Sequence, residues 1–169
     1  MAATVQINEY NTVSETEETN ITNTNMGDTD APNLDPVAYP VVPGENTYEK
    51  WQKIDVTGMG GSSKIDNLKI WRTGALGGAA VHLTNARETS YGGAESFATP
   101  VKTTSGVGKA TEAMPTSEPT DANLGIGGSL TGELTAAGMS DYLIHQIQTD
   151  AGDVAGSTST MNYQYDETA

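Results

Sequence analysis

The chain has 169 residues and a formal charge of −14, with eight basic residues against twenty-two acidic ones. That balance repels phosphates and argues against nucleic acid as a partner. No cysteine is present, which removes disulfides, thiolate catalysis and cysteine–zinc sites.

Hydrophobic residues make up 36% of the chain, enough for one modest core. Its aromatic content is seven Tyr, two Trp and one Phe, and Gly, Thr, Ser and Asn are abundant. This bias predicts short strands joined by turns. The N-terminus lacks a basic segment followed by an apolar one, so no signal peptide is expected. No apolar run approaches the ~18–20 residues that span a bilayer. The expectation is a soluble protein, not exported by the ordinary route, with no membrane partner.

"TVQINEYNT" (4–12) alternates and reads as a first strand. A long polar stretch follows, in which "NITNTN" reads as a short strand and four prolines make 31–45 an extended connector. Residues 1–45 carry Glu9, Glu15, Glu17, Glu18, Asp28, Asp30, Asp35 and Glu45, and no Lys or Arg. They are expected to form an extended acidic N-terminal arm, either solvated or lying on a basic neighbour. The second unit, 46–169, is expected to be the β domain.

"NTYEKWQKIDVTG" (46–58) is the first strong core strand, with a bulge expected near Trp51. "MGGSS" turns the chain into "KIDNLKIWRTG" (64–74), whose apolar residues occupy both faces. These two strands are predicted to form a hairpin. "AAVHLTNA" (79–86) is another short strand. Residues 87–121 hold few large apolar side chains and read as a long loop, either an interaction surface or a segment ordered by neighbours. Residues 123–141 are rich in small residues and suit one or two short strands. The nearest approach to a helix, 131–140, is weakened by Gly132 and Gly138. "DYLIHQIQT" (141–149) and "STSTMNYQYDETA" (157–169) are the last strands. The sum is an all-β chain, a single β-sandwich (Ig-like or jelly-roll) of about seven or eight short strands.

No residue set carries a catalytic signature. His82 and His145 each sit in a strand, without a nucleophile elbow or a triad pattern. "GMGGSSK" lacks phosphate-loop spacing. Asp28, Asp30 and Asp35 match a calcium loop only loosely, since the Gly and Glu of an EF-hand are missing. The Asp150/Asp153 pair offers no more than that. "NIT" at Asn20 fits a glycosylation sequon without a secretion signal. Trp51 and Trp71 suit core or interface more often than sugar stacking. No enzyme activity, metal or cofactor is expected.

"INEYN", "GENTYEKWQKIDVTG", "KIDNLKIWRTG", "MPTSEPTDANLGIGG", "GMSDYLIHQIQT" and "NYQYDE", in that order, resemble small structural proteins of tailed bacteriophage virions. The resemblance implies a β-sandwich virion component, assembled in the host cytoplasm, that decorates a capsid or sits at the neck or tail. It implies the major capsid protein or other virion proteins as partners, and a homo-oligomer. A receptor- or carbohydrate-binding module is the alternative. In the structural reading, Tyr48, Trp51, Trp71, Tyr163 and Tyr165 pack the sandwich and a subunit interface.

Overall fold

A computed structural model describes residues 1–103, 110–154 and 156–169. Nine strands occur among them: β1 (Thr4–Asn11), β2 (Thr16–Glu18), β3 (Lys50–Gly58), β4 (Lys64–Thr73), β5 (Val81–Thr84), β6 (Glu112–Ala113), β7 (Gly138–Met139), β8 (Leu143–Gln148) and β9 (Thr160–Thr168). The described residues contain no helix, and 131–140 contributes only β7. All pairings are antiparallel. The larger sheet runs β2-β1-β3-β8-β5-β6, with β7 also on β3, and the smaller sheet is β4-β9.

The expected hairpin between 46–58 and 64–74 does not form. β3 pairs with β1 on one edge and with β7 and β8 on the other, while β4 pairs with β9 in the second sheet. The reason lies in β3 itself. Its apolar and aromatic side chains occupy both faces, so it suits the middle of a sheet covered on both sides. The Gly-rich turn carries the chain from one sheet to the other. Gly60 has φ 61°, and a Cβ there would meet Ala2 O at 2.3 Å. Pairing is regular at Trp51, which sits opposite Tyr10. The irregularities fall at Thr4/Val5 and between Asp66 and Lys69, where Asn67 has φ 52°. Residues 20–25 form no strand; the short strand of this region is β2.

One core lies between the sheets. Ile54 and Val56 of β3, Leu143 of β8, and Ile65, Leu68 and Ile70 of β4 form it, with Val5, Ile7, Met161, Tyr163 and Tyr165 packed against it. A second, aromatic cluster sits on the opposite face of the larger sheet. Tyr10, Trp51, Tyr142 and Ile144 build it, and Ala94, Phe97 and Ala110 cover it. Phe97 and Tyr142 meet the Trp51 ring edge-on at 5.2 and 5.4 Å.

The 87–121 segment is therefore tied to its own chain at several points; residues 104–109 lie outside the described residues. Tyr142 N–H donates to Ala94 O, Glu49 N–H to Val101 O, and Met114 N–H to His82 O, at 2.8, 3.0 and 2.8 Å. Phe97→Ala is expected to cost about 2 kcal/mol and, in a Trp71→Phe background, to shift Trp51 fluorescence to the red. Unchanged emission would show that this segment does not shield the indole.

Residues 1–45 join the body through the β1–β3 ladder, with β2 added on the outer edge of β1, and Leu34 is 3% exposed. Lys102 bridges Asp28 and Glu45, tying the acidic segment to the 87–121 segment.

Candidate functional site

Alternation along β1, β3, β8 and β5 gives the larger sheet's inner face two halves. One is apolar and lies in the core. The other carries Glu9, Asn11, Lys50, Gln52, His82, Thr84 and His145, each no more than 6% exposed. Burying such groups is tolerable only when they satisfy one another. Lys50 Nζ donates to Glu9 Oε1 at 2.9 Å, to Asn11 Oδ1 at 3.1 Å and to Ala31 O at 3.1 Å. Gln52 Nε2 donates to Glu9 Oε2 at 3.2 Å and Thr24 Oγ1 at 2.6 Å, and Gln52 Oε1 accepts from the Tyr163 hydroxyl at 2.7 Å. The network links both sheets and the 19–45 connector.

Pairing of β5 with β8 brings the two histidines together. His82 Nε2 lies 2.8 Å from His145 Nδ1, so one ring donates and the other accepts. Their remaining nitrogens are buried without a protein partner. Burial, and then the Arg72 charge, pulls the His82 pKa down to about 4. Burial, and then the charges of His82 and Lys50, holds His145 well below the usual range. Both rings are thus neutral in the folded chain near pH 7, and both titrate more readily unfolded. The stability tied to His82 is complete above pH 6.5 and is lost as pH falls towards 4. A His82→Gln variant is expected to show a flatter urea-midpoint profile over this window, by about 3 kcal/mol. Parallel profiles would mean that His82 is already protonated in the fold.

Beyond this polar half a trough of about 770 Å³ opens. Ile7, His82, His145 and Ile147 of the larger sheet line it, as do residues 21–26 and 157–161, with Val37, Val41 and the prolines of 36–43. Asp153 is its one charged lining residue among the described residues. That carboxylate accepts from Ala79 N–H at 2.6 Å and Asp150 N–H at 2.7 Å. Gly78 (φ 63°) makes room for it, since a Cβ there would lie 1.9 Å from Asp153 Oδ1. Two of its apolar lining residues are largely exposed, Val37 at 86% and Val154 at 77%.

No family model, curated protein or solved structure matches the chain.

The residues singled out in the sequence scatter. Tyr163 lines the trough and holds Gln52. Tyr165 is half-buried against the core, Tyr48 is half-buried and its N–H donates to Gly27 O, and Trp71 is half-buried on β4. Trp51, at 2% exposure, packs inside its own chain, because the 87–121 segment covers its face of the sheet.

The three aspartates do separate work. Asp28 pairs with Lys102, Asp30 accepts from Thr12 N–H at 3.0 and 3.1 Å, and Asp35 accepts from Val37 N–H at 2.9 Å. No cluster of three or more His, Asp or Glu placed for a metal occurs among the described residues. The trough was missed in the sequence, although apolar Val37 and Val41 set among prolines were a signal for it.

Cations are used internally. Of the eight basic residues, Lys109 lies outside the described residues. Lys50, Lys64, Lys69, Arg87 and Lys102 meet carboxylates, Lys53 lies 4.0 Å from the Tyr142 ring centre, and Arg72 donates to Gly74 O. The surface is left with a surplus of carboxylates.

Proposed function

We propose that this chain is a non-enzymatic structural protein of a tailed-phage virion. It is built as a single β-sandwich and acts as a capsid decoration, or cement, subunit. The observation that carries the reading is the pair of largely exposed apolar residues Val37 and Val154, which line one trough on an acidic body. Exposed apolar groups concentrated within a polar rim mark a partner surface. The similarity of its segments to virion proteins supplies the setting.

A stable interface buries about 1,200–2,000 Å², so the polar surface around the rim takes part as well. Bridging two capsid subunits through this area opposes their separation. Neck or tail structural protein is the second placement. A glycan-binding module is weaker, because Trp51 is covered and Trp71 alone is left to stack on a sugar.

The test is co-sedimentation with undecorated, expanded heads assembled from a major capsid protein encoded in the same genome. Saturable binding is expected. Failure to bind heads, with recovery on tails, would remove the capsid placement and keep the virion reading.

A further inference from the structure

Most sheet edges among the described residues are short or covered. The larger sheet ends on β2 and β6, strands of three and two residues. Edges so short give an incoming chain little to pair with. In the smaller sheet, the outer side of β4 is occupied by loops. Arg72 N–H donates to Pro115 O and Ile70 N–H to Asn123 Oδ1, both at 2.8 Å, and Ile65 exchanges bonds with Leu134 at 2.8 and 2.9 Å.

β9 differs. It is nine residues long and pairs with β4 alone, so its second edge has no backbone partner among the described residues. Its stretch 160–165 carries no charge, and edge charges are a common protection against pairing.

This edge adjoins the trough, which Thr160, Met161 and Tyr163 line. Residues 22–26 also line it, and none of their backbone groups bonds to another described residue. We propose that the trough takes an extended segment of a different protein, added as a strand to the free edge of β9. The segment's alternate apolar side chains sit over Ile7 and Ile147, and Lys or Arg flanks it at either end.

Three observations fix that class of occupant. Unpaired backbone along β9 calls for a main-chain partner, as in β-strand addition. The trough's one carboxylate is already bonded twice within the chain, so the buried part of the occupant is uncharged. Asp35 and Asp150, exposed neighbours of lining residues, and the net charge of −14 favour basic flanks and repel a second copy.

The inference rests on reading the apolar rim as a partner surface, and peptide binding tests it apart from capsids. The probe is a set of fluorescein-labelled peptides Lys-Lys-(Thr-Xaa)n-Lys-Lys, with Xaa Val, Ile, Leu or Phe. Saturable anisotropy is expected from at least one member. Affinity should fall about ten-fold or more when alternate amides are N-methylated, when Glu replaces the flanking Lys, and in the Val37→Asp/Val154→Asp chain. Both valines are largely exposed, so that variant keeps its fold.

The proposal is overturned if no member binds or if N-methylated peptides bind as well as the parent. It is equally overturned if the same double variant abolishes a concentration-dependent self-association, which would make a second copy the occupant. Peptide binding without capsid binding would sink the decoration reading alone. Capsid binding that the double variant leaves intact, with no peptide binding, would sink this inference alone.

Discussion

Removal of residues 157–169 abolishes cooperative folding. Among the described residues β9 is the only strand paired with β4, from Lys64↔Thr168 to Thr73↔Thr160. It also brings Met161, Tyr163 and Tyr165 onto the core that contains Ile65, Leu68 and Ile70, which are at most 1% exposed. Each half-buried side chain contributes about 1–2 kcal/mol, and each ladder hydrogen bond about 1 kcal/mol net. Together these rival the whole stability of a domain, about 5–15 kcal/mol. The truncated chain should lose its near-UV CD and its sigmoidal urea transition. A soluble truncation with unchanged near-UV CD would show that β9 is an appendage.

Lys50→Met should cost about 3–5 kcal/mol, read as a fall in the urea midpoint. The ammonium is 1% exposed and its partner Glu9 is 4% exposed, so the substitution leaves a carboxylate buried with no cation. It also frees the connector at Ala31. Adding Glu9→Gln removes the stranded charge and should restore about half the loss or more. If the double variant is no better than the single one, the anchoring of Ala31 outweighs the charge.

Local signals were legible. The period-two pattern located β1, β3, β4, β8 and β9, because alternation is a property of a few adjacent residues. Pairing was not legible. A Gly/Ser turn after an alternating run looks like a hairpin, yet β3 has apolar groups on both faces and needs neighbours on both edges. The same two-faced character, with Trp51 on one parity and Ile54 and Val56 on the other, called for cover on the outer face. The poorly apolar 87–121 segment supplies that cover with Phe97 and Ala94. The histidine pair was hidden because it depends on β5 meeting β8, whose residues His82 and His145 are 63 apart. The trough was hidden for the same reason, since its walls come from both halves of the chain.

The switch of β4 into the second sheet has a kinetic consequence. Asn67 bonds Asp166 across 99 residues, and Tyr163 bonds Gln52 across 111. Chains dominated by such distant contacts fold in about milliseconds to seconds. During synthesis, β4 emerges long before β9 and waits with Ile65, Leu68 and Ile70 unshielded. Aggregation at this stage should therefore track the emergence of β9: a ribosome stalled before residue 157 should hold a sticky nascent chain, and emergence of residues 160–168 from the ribosome should quench it.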